Sequence, residues 1–282
     1  MSVIPSIRPS AIAGTWYEAD PQSLARAVDG YIEHAHLPEL NGQVIALVTP
    51  HAGHVYSGPV AGYAFAAARG LSPELVAVVS PMHHYYPQPL LTTAHTAYQT
   101  PLGEVPVDPK AVADLNSRLQ ARLGFGLTPV SKDPEHSLEI ELPFLQRALG
   151  APFQLLPVML RTQTPEVSRS LGEALAETLA GRNALLVAST DLSHFHNQRL
   201  AGKLDAAMLD QVATFSVDGV FEVEIRGEGE ACGIGALAAV LWAARALGAD
   251  SVRVLNHATS GDVTGDFQRV VGYGAAVVLK TK

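Results

Sequence analysis

Three short apolar runs, each followed by a polar segment that contains histidine, constrain the fold of this chain most strongly. The runs Val44–Val48, Leu75–Val79 and Ala184–Ala188 are continuously apolar, which is typical of β-strands covered by helices on both faces of a parallel sheet. The ligand crevice of such a sheet lies outside the carboxyl ends of its strands. We therefore expect the polar tips to face one pocket; they are Thr49–His54, Ser80–His84 and Ser189–His194.

Strands and helices alternate along the chain, which predicts one α/β domain over residues 1–282 with a mainly parallel or mixed central sheet flanked by helices. Pro143 lies inside one predicted helix, so we expect a kink or a late start there. Leu90–Val107 predicts a short β excursion. The predicted helices are Asp20–His34, Pro59–Arg69, Asp108–Gly124, Ser137–Leu149, Thr164–Leu179, Arg199–Val212, Val217–Ile225 and Ile234–Leu247, and the predicted strands are Gln43–Thr49, Leu75–Ser80, Phe153–Leu160, Asn183–Thr190, Ser251–Leu255 and Arg269–Leu279.

Composition indicates a chain with a sizeable core and no affinity for nucleic acid. Hydrophobic residues make up 48% and charged residues 16%, and the net charge is −8 with no basic cluster to neutralise phosphates. No apolar stretch approaches the roughly 20 residues of a membrane span, and Met1–Ser10 has no apolar core of a secretory signal. The single cysteine, Cys232, excludes an intrachain disulfide. These features predict a cytoplasmic protein.

Two histidines and the cysteine are candidate metal ligands. His51 and His83 each follow a predicted strand in a proline-containing turn, and neutral imidazole is a common ligand of Zn, Fe and Cu. Cys232 precedes a predicted apolar helix, where the positive end of the helix dipole is expected to lower the pKa of the thiol. The alternative for Cys232 is a small side chain packed beneath a helix end.

Three further residues are candidates for proton transfer. Asp191 and His194 share one predicted strand tip, where a carboxylate can orient an imidazole and raise its basicity. Asp191 can alternatively cap the helix that follows. His136 lies in another loop before a helix and is a candidate for the same pocket. The remaining histidines near these motifs are expected to be structural or solvated; they are His54, His84, His95, His196 and His257.

Several sequence blocks, taken in order, resemble the Memo family, also called AmmeMemoRadiSam system protein B in prokaryotes. The similarity extends from Arg8 to the last predicted strand, and the blocks PHAGxxYSG and EHSxExxLPF are the most specific. The matching segments are Ala13–Tyr17, Pro50–Gly58, Ser80–His84, Glu135–Phe144, Ser189–Phe195 and Cys232–Gly233.

The resemblance implies a fold similar to that of the class III extradiol dioxygenases, which are non-haem iron enzymes. It places the metal ligands at His51, His83 and Cys232, with Asp191 and His194 in the same pocket. It also implies association with a radical-SAM protein and an AMMECR1-like protein. A thiolate stands where the ring-cleaving dioxygenases have a carboxylate, which shifts the metal preference toward copper, zinc or a different iron chemistry. Met82 stands where the family more often has a small polar residue.

We therefore expect a metal-dependent oxidoreductase that uses iron or copper, with zinc as the alternative ion. A zinc-type hydrolase is the second hypothesis, because two histidines, one cysteine and an open position also make a catalytic zinc site. The third is a non-catalytic module that binds a peptide or a partner protein in the same pocket.

Overall fold

The computed structural model describes residues 6–282 of the chain. The expectation that Met1–Ser10 has no apolar core of a secretory signal therefore concerns residues that lie partly outside this range. Within this range the strands are β1 (Ile7–Arg8), β2 (Gln43–Thr49), β3 (Leu75–Pro81), β4 (Leu90–Thr93), β5 (Ala97–Thr100), β6 (Gly103–Pro106), β7 (Thr128–Val130), β8 (Gln154–Leu160), β9 (Ala184–Ser189), β10 (His194–His196), β11 (Ser251–Thr259) and β12 (Val270–Lys280). The α-helices are α1 (Pro21–His34), α2 (His54–Ala67), α3 (Pro109–Leu123), α4 (Leu142–Ala148), α5 (Pro165–Leu179), α6 (Gln198–Ala213), α7 (Val217–Ile225), α8 (Ile234–Ala246) and α9 (Gly261–Thr264), with a 3₁₀ turn at Glu139–Glu141.

A mixed sheet forms the centre of the molecule, as predicted. Its strands run in the order β10-β12-β2-β9-β3-β8-β4-β7, and β11 pairs with β12. The four strands from β2 to β8 are parallel to one another, whereas β12 is antiparallel to β2 and β4 is antiparallel to β8. The parallel strands β2, β9 and β3 therefore open their carboxyl ends at the same edge of the sheet.

Helices cover both faces of this sheet and produce two apolar layers. In β2 the side chain of Val48 joins the layer beneath α3, α5 and α8, whereas its neighbour Leu47 joins the layer beneath α1, α2 and α4. This alternation is the period of two that a strand imposes. Because both faces are apolar, the strands are continuously hydrophobic, and polar groups collect at the strand ends. The likeness to extradiol dioxygenases stays a prediction.

Most predicted elements are confirmed to within a few residues, and the largest difference concerns α2. The helix predicted from Pro59 begins at His54. Pro59 lies early in the helix, so it frees the carbonyl of Val55 from the hydrogen-bond ladder. Val55 is exposed, and water can satisfy that carbonyl.

The helix around Pro143 begins late, as its proline predicts. A 3₁₀ turn precedes α4, and Pro143 occupies the first turn of α4, where its missing N–H is harmless. The β excursion is confirmed as β4, β5 and β6. Strand β11 continues four residues past the predicted Leu255, to Thr259, with a register shift between Val254 and Asn256. Within residues 6–282, no helix is long and apolar enough to span a bilayer.

Candidate metal centre

The polar tips of β2 and β3, together with the loop before the 3₁₀ turn, bring three imidazoles together. One ring nitrogen from each of His51, His83 and His136 lies within 4.8 Å of the others. The rings of His83 and His136 are stacked with centroids 4.7 Å apart, and the ring of His51 meets both edge-on. His51 is buried, His83 is exposed and His136 is half-buried. The cluster is therefore most open to solvent at His83.

A single buried carboxylate orients two of these rings. Glu135 Oε1 accepts hydrogen bonds from Nδ1 of His83 at 2.9 Å and lies 3.1 Å from Nδ1 of His136. It also accepts backbone N–H groups of His136 and Ser137, while Oε2 accepts the N–H of His83 at 2.6 Å. These donors hold the pKa of Glu135 well below its usual range despite its burial. With both Nδ1 atoms protonated, the two Nε2 atoms are left as lone-pair donors.

A second polar network orients His51 from beneath. Its Nδ1 lies 2.9 Å from Ser189 Oγ, and that hydroxyl also contacts the carbonyl of Ser137 at 2.6 Å and Glu141 Oε1 at 2.8 Å. Ser189 donates its one hydroxyl proton to one of these two oxygens, so its own oxygen accepts the Nδ1 proton of His51. The Nε2 atom of His51 therefore carries the lone pair. Burial, with a contribution from His136 and His83, lowers the pKa of His51 well below its usual value. His51 is therefore neutral near pH 7, the form that binds a metal ion.

Cys232 lies against His51, at the place that the helix-start prediction gives it. Its Sγ is 3.1 Å from His51 Nε2 and accepts the backbone N–H of Asp191 at 3.3 Å. Gly233, which precedes α8, permits this approach, since a Cβ at this position would lie 2.5 Å from the carbonyl oxygen of Ser189. The predicted lowering of the thiol pKa is wrong for the metal-free protein. Burial, with a contribution from Asp191, raises the pKa of Cys232 instead.

Asp191 lies within the same buried region but does not cap a helix. Its carboxylate accepts the backbone N–H of His51 at 2.7 Å and that of Ala52. The next helix, α6, is capped by Asn197, so the capping alternative is wrong. The carboxylate instead fixes the loop that carries His51. Burial raises the pKa of Asp191 to about 7.

His194 occupies β10 at the rim of this region. Its Nδ1 lies 2.8 Å from the carbonyl oxygen of Leu192, which fixes the proton on Nδ1 and leaves Nε2 with a lone pair. Burial lowers the pKa of His194. The described hydrogen bonds of Asp191 and His194 go to backbone groups, not to each other. The carboxylate–imidazole pair expected from their spacing is therefore not formed among the described residues: Asp191 lies in the loop after β9, whereas His194 begins β10.

The N-terminal segment forms one wall of the centre. The ring of Trp16 lies 4.1 Å from that of His136. Arg8, which is buried, donates to the carbonyl of Glu135 at 2.7 Å and to Asp133 Oδ2 at 2.7 Å, and it pairs with Glu139. The segment therefore fixes the loop that carries Glu135 and His136.

Sequence reasoning finds the ring-bearing residues but misses those that orient them. His51, His83 and His136 come together, and Cys232 contacts His51 but lies outside the three-histidine group. All four were identifiable from strand tips and sequence blocks. Glu135 is missed as an orienting group, although its position next to His136 in the EHS block is a usable signal. Further residues with such roles are also missed, although two of them, Glu141 and Ser189, lie within the matching segments Glu135–Phe144 and Ser189–Phe195; the third is Arg8.

The remaining histidines follow the expectation of structural or solvated roles where contacts are described. His54 is buried against Phe144, and its Nε2 contacts the carbonyl of Ile140 at 3.1 Å. His257 pairs with buried Asp205 at 2.8 Å.

Comparison with known proteins gives one consistent result. The sequence model of the family described as Memo-like protein matches residues 8–277. A MEMO1 family protein of Thermotoga neapolitana is 37% identical over 284 aligned positions, which cover 96% of this chain and 99% of the relative. MEMO1 family proteins of Nitrosopumilus maritimus and Methanopyrus kandleri are each 34% identical, over 95% and 96% of this chain and 98% of each relative.

Proposed function

Because the chain belongs to the Memo-like protein family, we propose that it is a metal-dependent redox enzyme. Its ion would be held by His51, His83 and Cys232, with His136 as a further donor. The observation that carries the proposal is the group of three imidazoles whose ring nitrogens lie within 4.8 Å of one another. A structural histidine needs no such convergence.

The donor set suits a transition metal ion. The hydrogen bonds at Nδ1 leave Nε2 of each histidine available, and a neutral imidazole is the form that binds. Cys232 Sγ lies 3.1 Å from His51 Nε2, close to the separation of about 3 to 3.6 Å that nitrogen and sulfur adopt when they share one ion. Metal binding would replace the thiol proton and reverse the pKa increase caused by burial. Nitrogen and sulfur donors favour iron, copper or zinc over magnesium or calcium.

A bound iron or copper ion would supply one-electron chemistry with oxygen and a small substrate. The residues of the chain would hold and move protons beside it. Asp191, whose pKa burial raises to about 7, exists in both protonation states near neutral pH, as a proton-transfer group should. His194 keeps a lone pair on Nε2 and serves as a base at the open rim. The exposed side of the cluster at His83 is where substrate would enter.

Metal analysis tests this proposal directly. Protein purified and reconstituted anaerobically with Fe(II), Cu(I) or Zn(II) should bind close to one ion per chain, and His51→Ala and Cys232→Ser should lose most of it. His84→Ala is the matched control, because His84 is exposed, adjoins His83 and is not a proposed ligand. Near-zero metal in the wild type, or equal metal in His51→Ala, would overturn the metal centre.

A zinc hydrolase is the second candidate, and the three-histidine group favours it. Three imidazoles with one open position form a known catalytic zinc arrangement, in which zinc activates water. Assays of oxygen uptake and of ester or amide hydrolysis on the reconstituted protein separate the two functions. Turnover in neither assay, with tight ligand binding and no metal, would instead identify a peptide- or partner-binding module. Association with a radical-SAM protein and an AMMECR1-like protein stays a prediction.

A further inference from the structure

A second concave region adjoins the candidate metal centre at β10. It has a volume of about 330 Å³. Val271 in its wall pairs with His194 across the β10–β12 ladder, and the adjacent ring of Phe195 lies 5.6 Å from the ring of His194. His194 therefore lies beside this cavity, and it acts electrostatically on His51 of the metal centre. Its lining residues are Tyr56, Phe195, Ser260, Thr264, Asp266, Arg269, Val271 and Tyr273.

Phe195 is held outward in a strained conformation. Its φ of 64° places it in the left-handed region, where a bulky side chain is a genuine outlier. Its side chain is nevertheless 61% exposed, so no core packing compensates the strain. Such strain at an exposed aromatic ring indicates a binding role, because it persists only where the surrounding structure imposes it.

Arg269 extends over this ring. Its guanidinium carbon lies 5.3 Å from the centroid of Phe195. Among the described ion pairs and hydrogen bonds of residues 6–282, the side chain of Arg269 pairs with no carboxylate. Most other arginines do, for example Arg147 with Asp29. The face of the guanidinium is thus used by the ring, while its N–H groups remain available for a planar bidentate acceptor.

We propose that this cavity is a subsite for the carboxylate of a small organic acid. The N–H groups of Arg269 bind the carboxylate, an aromatic or apolar body lies on Phe195 between Tyr56 and Tyr273, and the other end extends past His194 toward the metal centre. Asp266 lines the same cavity, and its negative charge repels a dianionic phosphate more strongly than a singly charged carboxylate, which favours the carboxylate. The assignment of the far end as the reacting end rests on the proposed function, whereas the carboxylate subsite does not.

Matched ligands test the subsite. Calorimetric titration would compare cinnamate with its neutral isostere cinnamamide and with phenyl phosphate, on metal-free and metal-loaded protein. We expect cinnamate to bind at least about fivefold tighter than cinnamamide in both forms, as a charge-assisted bidentate contact requires. Arg269→Gln should abolish this preference. Phe195→Asn should lower the affinity for both ligands to the same extent, and asparagine tolerates the left-handed backbone at this position.

The control is Arg253→Gln, since Arg253 is exposed on β11 and lies outside the cavity lining; its ligand preference should equal that of the wild type. Equal binding of acid and amide, no saturable binding of cinnamate, or an undiminished preference in Arg269→Gln would overturn the subsite. Phenyl phosphate bound as tightly as cinnamate would overturn its assignment to carboxylates. If the wild-type protein binds no metal but keeps the preference for cinnamate, the proposed function is refuted and the subsite stands.

Discussion

Replacing Glu135 by glutamine should separate orientation of the histidines from folding. The carboxylate accepts the Nδ1 protons of His83 and His136 through Oε1, and the N–H of His83 through Oε2. Glutamine keeps the size but has one acceptor oxygen. With that oxygen at the Oε1 position, the amide NH₂ faces the backbone N–H of His83. Two donors then meet at a place where the wild type has a donor and an acceptor 2.6 Å apart.

Two magnitudes follow from this geometry. One buried N–H without an acceptor costs about 1 to 3 kcal/mol of unfolding free energy, which lowers the thermal midpoint by about 2 to 4 °C per kcal/mol in a domain of this size class. Loss of the negative charge weakens the orientation and basicity of both imidazoles. The usual effect of removing such a partner is a loss of about 10- to 100-fold in metal affinity. Because its folded-state pKa is lowered, Glu135 stabilises the wild type above its ordinary pKa of about 4.3, and this contribution decreases as pH falls below it.

Competition with a chromophoric chelator measures the metal affinity, and calorimetry of the metal-free protein measures stability. Glu230→Gln is the matched control, because Glu230 contacts His196 and the backbone of His194 outside the three-histidine group. The control should keep wild-type metal affinity. Wild-type metal affinity in Glu135→Gln, together with reduced stability, would refute the orienting role and leave Glu135 as a support for the loop alone.

Three further predictions concern the surrounding groups. Asp191→Asn should lower metal affinity or activity about 10- to 100-fold, with a thermal midpoint within a few degrees of wild type. Because the folded-state pKa of Asp191 is raised to about 7, the metal-free wild type should lose stability relative to the variant as pH rises from about 4 through 7. A stability difference that does not change with pH would contradict this. Cys232 should resist alkylation, followed by mass spectrometry, while metal is bound and react after chelation at alkaline pH, whereas equal rates would indicate an ordinary buried thiol. Arg8→Met should cost about 3 to 5 kcal/mol in urea unfolding because it leaves Asp133 and Glu139 buried without their cation, and a loss below about 1 kcal/mol, the value of a surface pair, would show that these carboxylates find other partners.

Local sequence signals determined the elements of this protein and the edge at which its chemistry lies. The aspartates and threonine before proline at the starts of α1, α3 and α5 predict those helices, and each accepts a backbone N–H in the structure as a cap. The apolar runs predict buried parallel strands, and parallel strands must place their carboxyl ends at one edge. His51, His83 and Cys232 were identifiable for this reason and from sequence blocks that resemble one family.

The tertiary structure alone decided how these residues act on one another. The contact of Glu135 with His83, the support of that loop by Arg8 and the thiol pKa of Cys232 all depend on distances between segments far apart in sequence. Local patterns carry propensity and periodicity, which act over a few residues. Burial and electrostatic contact depend on the folded chain as a whole. The sequence by itself therefore determined which groups reach the site, and the packed fold decided which nitrogen of each ring faces inward and which groups are charged.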